Sequence, residues 1–107
     1  ELGAGVVVEA MACGPVCIVT AYGAPGDLTA NGRGVRVPLQ PLDGLVAANR
    51  AAMEACLADP EAHAAMASAA HDYAVGLYTW DAKAAYTARI YDAVMARRSL
   101  ADLTDYL

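Results

Sequence analysis

The sequence has no apolar run that approaches the roughly 18 residues needed for a bilayer-spanning helix. It also lacks a positively charged segment followed by a short apolar stretch, so we expect no secretory signal. Basic residues are few: seven stand against twelve acidic ones, and the formal net charge of −5 argues against a nucleic-acid partner. These absences predict a cytoplasmic protein without a transmembrane segment, and they leave open peripheral association with the inner face of a membrane.

Cysteine is scarce as well. The three cysteines, Cys13, Cys17 and Cys56, are odd in number and too sparse for a secreted disulfide scaffold, which fits a reducing cytosol. No second ligand pair accompanies Cys13 and Cys17, and the two histidines, His63 and His71, are too far apart on one predicted helix to form a metal pair. We therefore expect no metal site, small buried thiols, and histidines in exposed or capping positions.

Apolar residues are abundant. They make up 58% of the 107 residues, and the mean hydropathy is +0.33, so the chain is more apolar than a typical soluble domain. The length allows one compact domain or a piece of one. The apolar excess predicts that part of the surface meets a partner.

The first third of the chain reads as helix, strand, loop and strand. Residues 3–13 predict a short helix that stops at Gly14 and Pro15, although Val6–Val8 alone would also suit a strand. The β-branched run at residues 15–20 predicts a strand buried on both faces of a parallel sheet. Residues 21–33 predict a loop with room for one helical turn at 25–28, and residues 34–38 predict a second strand.

Three helices follow, over residues 41–58, from Pro60 to about Gly76, and from Trp80 to about Arg97. Asp59 and Thr79 are the expected N-caps of the second and third. The predicted buried stripes are Leu42, Leu45, Val46, Asn49, Met53, Cys56 and Leu57 on the first, Ala62, Ala65, Met66, Ala69 and Tyr73 on the second, and Trp80, Ala84, Ala88, Tyr91 and Met95 on the third. The class is α/β, and two short strands need further strands to complete a sheet with helices on both faces.

Two glycines lie at the start of the first predicted helix, with one carboxylate before it and a second near its middle. Gly3 and Gly5 lie where free N–H groups and the positive end of the helix dipole receive anions, and Glu1 and Glu9 can accept paired hydroxyls. This combination suits a phosphorylated sugar, although a lone helical glutamate is usually a solvated side chain. A dinucleotide fingerprint fits less well, because Val8 occupies the third glycine position.

Five aromatic residues cluster late in the chain. They could form a carbohydrate platform, but packing between the last two helices and a neighbouring part of the protein is the favoured interpretation. They are Tyr73, Tyr78, Trp80, Tyr86 and Tyr91.

Several ordered segments resemble the retaining glycosyltransferases with the GT-B fold, especially family 4 (glycosyl transferases group 1). Glu1 and Glu9 match the Glu-x7-Glu arrangement of that family, and residues 9–16 are similar to Glu-Ala-Met-Ala-Cys-Gly-x-Pro-Val. Residues 31–38 resemble Asn-Gly-x-x-Gly-Leu-Leu-Val-Pro, residues 57–61 match Leu-x-Asp-Pro-Glu, and residues 78–80 resemble the Phe-Ser-Trp that starts the last helix. The matches span roughly 80 residues in order.

The resemblance implies roles for individual residues. Glu1 would bind the hydroxyls of the transferred sugar and is the candidate catalytic residue, while Glu9 would bind the ribose hydroxyls. The backbone of Gly3, Ala4 and Gly5 would face the sugar or the diphosphate. The family's basic residues that neutralise the diphosphate would precede Glu1.

By the same resemblance, the enzyme moves a sugar from a UDP-, GDP- or ADP-sugar to an acceptor hydroxyl with retention and needs no metal or cofactor. Residues 1–107 would be the C-terminal portion of a partial Rossmann-like donor-binding domain. Its upstream strands and the acceptor domain would belong to the remaining part of the enzyme, so the chain alone should be inactive. Leu2-Gly3-Ala4 replaces the usual Gly-Phe-Gly, which favours an alternative: a catalytically inactive glycosyltransferase-like domain used for packing or oligomer assembly.

Overall fold

The computed structural model describes residues 3–99, 101 and 103. In this part of the chain the order is α1 (Gly5–Cys13), β1 (Ile18–Thr20), α2 (Gly23–Leu28), β2 (Val35–Val37), α3 (Leu42–Ala58), α4 (Pro60–Tyr78) and α5 (Trp80–Met95). The chain divides into two units, Glu1–Ala74 and Val75–Leu107, and the boundary falls within α4. Both strands belong to the first unit.

β1 and β2 pair in parallel, with Ile18 opposite Val35 and Thr20 opposite Val37. Helix α2 supplies the crossover that a parallel pair requires. The predicted α/β class with two short parallel strands is therefore confirmed. Each strand has only three residues, and β1 is half-buried, so the prediction of a strand buried on both faces is wrong.

Helix α1 forms despite its three consecutive valines. Gly14 ends it in the left-handed region (φ 97°), and the Gly14 N–H donates a hydrogen bond to the Met11 carbonyl at 3.0 Å. Met11 is fully buried and anchors the helix to the core of its unit. Since Cys13 lies two residues further, on the opposite face, it is exposed, and the prediction of a buried thiol there is wrong.

The segment predicted as a loop contains a six-residue helix, α2. Its end is fixed by side chains: the buried Thr29 hydroxyl donates to the Pro25 carbonyl at 2.8 Å, and Arg33 Nε donates to the Leu28 carbonyl at 2.9 Å. The Arg33 guanidinium also lies 3.9 Å from the centre of the Tyr73 ring on α4. These contacts stabilise a helix too short for its sequence alone to specify.

Helix α3 packs against both strands through a narrower face than predicted. Ala52 is buried, and Leu45 and Cys56 on the same side are half-buried. Asn49 is also half-buried, and the remaining four predicted residues form a separate exposed stripe, with Leu42, Val46, Met53 and Leu57 exposed by 73%, 60%, 56% and 82%. The helix therefore has two apolar faces, and the prediction merged them.

Helix α4 continues past Gly76 to Tyr78, so the predicted end at Gly76 is wrong. At its start, Asp59 Oδ1 accepts a hydrogen bond from the Ala62 N–H at 2.9 Å, as predicted for an N-cap. The buried residues are Ala70 and Ala74, whereas Ala62, Ala65 and Ala69 of the predicted stripe are exposed. Alanine on every side of this helix left its buried face undetermined by periodicity.

Helix α5 begins at the predicted cap: Thr79 Oγ1 accepts from the Ala82 N–H at 3.2 Å. It ends at Met95 with Arg97 in the left-handed region (φ 52°), where the Arg97 and Arg98 N–H groups donate back to Val94 and Ala93. The predicted stripe of α5 is wrong, because all five of its residues are exposed. Ala93, which is buried, lies on the opposite face.

No helix in the described part of the chain has the length and apolar character needed to cross a membrane.

Candidate functional site

The start of α1 has an unusual backbone. Ala4 precedes the helix in the left-handed conformation (φ 47°, ψ 37°) and is 1% exposed, while Gly3 and Gly5 on either side are exposed. The Ala4 carbonyl accepts hydrogen bonds from the Val7 and Val8 N–H groups at 2.9 and 3.3 Å. A left-handed alanine is strained by about 1–2 kcal/mol, and such strain is often found at functional sites.

Ala4 lines an open cleft of about 500 Å³ at the carboxyl ends of the two parallel strands. We call it the carboxyl-end cleft. Its described lining comes from α1, β1 and the segments that follow β1 and β2: Ala4, Val6, Val7, Val19, Thr20, Tyr22, Pro25 and Leu39. The crevice outside the carboxyl ends of parallel strands is where open α/β sheets generally bind ligands.

Glu9 belongs to the same helix as two residues of the cleft lining. It is exposed on α1, and it does not belong to the described lining. Val6, which does line the cleft, is three residues earlier, so the two side chains are neighbours on the helix surface. The structure therefore places Ala4 in the cleft lining and Glu9 outside the described lining, one turn further along α1. Glu1 and Leu2 lie outside the described residues.

Tyr22 and Leu39 are cleft residues that the sequence did not single out. Tyr22 lies two residues after the end of β1 and is 73% exposed, and Leu39 lies two residues after the end of β2 and is 67% exposed. Their positions just beyond the carboxyl ends of predicted parallel strands were the available signal. Because residues 21–33 were predicted as a loop, the position of Tyr22 after the strand was not used as a signal.

The described lining of the cleft carries no charged side chain. Of the two basic residues between Pro25 and Leu39, Arg33 donates to the Leu28 and Asp27 carbonyls at 2.9 and 3.2 Å and contacts the Tyr73 ring. Arg36 is exposed on β2 and does not belong to the described lining. Behind α1, Cys17 Sγ lies 3.9 Å from the Val7 carbonyl, and burial raises the pKa of its thiol. The described lining is thus suited to uncharged ligand groups.

The late aromatic residues have separate environments. Tyr73 contacts Arg33, while in the second unit Lys83 lies 4.2 Å over the Tyr78 ring and the Tyr86 hydroxyl donates to the Leu103 carbonyl at 3.0 Å. Trp80 and Tyr91, 90% and 66% exposed, flank a shallow groove of about 390 Å³ on α5. His71, also exposed, has Nδ1 3.3 Å from Asp72 Oδ1, and His63 is half-buried.

Comparison of the chain with family models, with curated proteins and with solved structures found no match.

Proposed function

We propose that this chain is the donor-binding part of a retaining glycosyltransferase that transfers a sugar from a nucleotide-sugar to an acceptor hydroxyl. One observation carries the proposal: the cleft lies at the carboxyl ends of two parallel strands, with the strained start of α1 in its lining. The motif resemblance from Glu1 to Trp80 is the basis for proposing a nucleotide-sugar as the ligand of that cleft. The nucleotide is uridine, guanosine or adenosine diphosphate.

In this proposal each residue keeps the role that the resemblance implies. Glu9 accepts hydrogen bonds from the ribose hydroxyls, because an exposed carboxylate can accept from two hydroxyls at once. Gly3, Ala4 and Gly5 offer backbone N–H groups at a helix start to the diphosphate or the sugar. Glu1 binds the transferred sugar. Residues 1–107 are then the C-terminal portion of the donor-binding domain of a GT-B enzyme, and they are inactive without the rest of it.

Charge-assisted hydrogen bonds contribute about 1.5–3 kcal/mol, so removing the carboxylate charge should weaken donor binding by roughly 10- to 100-fold. The first step is a thermal-shift screen of UDP-, GDP- and ADP-sugars on the intact protein. Glu9→Gln, alone and with Glu1→Gln, should then lose most of the shift and of the turnover. Glu61→Gln removes the same charge from the first turn of α4 and should leave both unchanged. Unchanged affinity and turnover in the double variant would refute the proposal.

A second candidate has its own supporting observation. Two helices expose apolar residues in groups, whereas exposed apolar side chains on a monomer are usually scattered singly. The groups are the α3 stripe of Leu42, Val46, Met53 and Leu57 and the α5 groove flanked by Trp80 and Tyr91. A glycosyltransferase-like domain that is catalytically inactive and serves packing or oligomer assembly would use these faces. Such a protein would give no thermal shift with any nucleotide-sugar.

A further inference from the structure

Tyr22 has the attributes of a ligand-binding aromatic. It is 73% exposed, it lines the carboxyl-end cleft, and it lies two residues after the end of β1. Aromatic rings that bind ligands present an apolar face on a fixed backbone, which keeps the entropic cost of ordering them low. Tyr22 also keeps a hydroxyl group that can donate or accept a hydrogen bond.

The backbone around Tyr22 is held on both sides. The Tyr22 N–H donates to the Thr20 carbonyl at 2.8 Å, and the Ala21 N–H donates to the Val37 carbonyl at 2.7 Å, which ties this segment to the end of β2. Tyr22 has an extended conformation (φ −145°, ψ 132°) and directly precedes α2. The ring therefore extends from a position fixed by both strands.

The cleft and Glu9 indicate which part of a nucleotide-sugar meets Tyr22. Glu9, assigned to the ribose, lies outside the described lining, whereas Ala4, assigned to the sugar or the diphosphate, lies within it. The residues described in the lining offer no charged side chain to a diphosphate. The group best suited to the cleft is then the uncharged ring beyond the diphosphate, which is the transferred sugar.

We infer that Tyr22 is the stacking platform for the transferred sugar, with its ring against the C–H face of the hexose. This inference rests on the proposed donor-binding function and adds a residue to it. Stacking of this kind is non-polar and tolerates loss of the hydroxyl group, so a phenylalanine should replace Tyr22 with little effect. Alanine should not.

The test compares the nucleotide-sugar with the matching free nucleotide. UDP-glucose, GDP-mannose and ADP-glucose, and UDP, GDP and ADP, are titrated calorimetrically into the intact protein and its variants. Tyr22→Ala should weaken the binding of the recognised nucleotide-sugar by about three- to tenfold, the size of one aromatic contact. The same variant should leave the free nucleotide unaffected, and Tyr22→Phe should bind both like the parent. Tyr91→Ala, a matched change at an exposed tyrosine on α5, should change neither affinity.

Two results would overturn the inference while leaving the donor-binding function intact. Equal loss for nucleotide and nucleotide-sugar in Tyr22→Ala would place the ring against the nucleotide, and no loss for either would remove it from the site. In both cases Glu9→Gln would still weaken the binding of the nucleotide-sugar and of the free nucleotide. If no nucleotide-sugar binds the parent protein, both the proposed function and the role of Tyr22 fail.

Discussion

At the scale of single residues, Gly34 is closely packed at the point where the chain enters β2. A Cβ atom added there would lie 2.8 Å from the Cys17 carbonyl oxygen and 2.8 Å from the Thr29 side chain. Neither neighbour can retreat easily, because Cys17 accepts a hydrogen bond from the Val35 N–H at 2.9 Å and Thr29 is buried. Position 34 therefore requires glycine, because any side chain there would collide with Cys17 and Thr29.

Gly34→Ala should destabilise the protein by about 2–3 kcal/mol, the cost of overpacking a rigid interior. The matched control is Gly76→Ala on α4, where a Cβ atom would meet nothing within 4 Å. There alanine should raise stability by up to about 1 kcal/mol, because it favours the helix. Urea unfolding followed by circular dichroism measures both variants. A Gly34→Ala protein as stable as the parent would show that β1 and β2 do not approach as closely as described.

At the scale of elements, the boundaries of the helices depend on local side-chain chemistry. Asp59 and Thr79 each supply an oxygen to a backbone N–H three residues later, at 2.9 and 3.2 Å. Both caps follow from the sequence, since aspartate and threonine prefer this position. The separation of α4 from α5 is set by such a cap, since α4 continues through Gly76 and ends just before Thr79.

Replacing the cap of α5 tests this directly. Thr79→Ala removes the acceptor for the Ala82 N–H and should cost about 1 kcal/mol, whereas Thr79→Ser keeps the hydroxyl and should cost much less. Thr87→Ala, at an exposed position within the same helix, should be neutral or stabilising. Hydrogen exchange of the amides in the first turn of α5 gives the local readout. Equal protection in Thr79→Ala and the parent would mean that the cap does not hold this turn.

At the scale of the whole molecule, sequence patterns predicted the kinds of element better than the faces they bury. The strand pair and the starts of α4 and α5 follow from β-branched runs, proline and caps. The buried faces of α3, α4 and α5 could not be predicted from sequence patterns, because alanine on several sides gives these helices more than one apolar face. Helix α2 was predicted only as a loop with room for one turn at residues 25–28, because hydrogen bonds from Thr29 and Arg33, beyond its C-terminal end, stabilise it.

The candidate site was predictable to a similar degree. Sequence motifs pointed to Gly3, Ala4, Gly5 and Glu9, and of these four Ala4 belongs to the described cleft lining. Tyr22 and Leu39 could not be found by motif, because only the parallel pairing of β1 and β2 brings their segments to the same edge of the sheet. Tertiary structure, not local sequence, assembles this cleft.

The central claim is that the carboxyl-end cleft binds a nucleotide-sugar, and hydrogen–deuterium exchange of the intact protein tests it most directly. Exchange is measured with and without the nucleotide-sugar that gives the largest thermal shift. A bound donor should slow exchange in peptides covering residues 3–9 and 20–26, which contain the start of α1 and Tyr22. The Glu9→Gln protein should lose most of this protection under the same conditions. Unchanged exchange in both peptides, or protection confined to α3 and α5, would contradict the account.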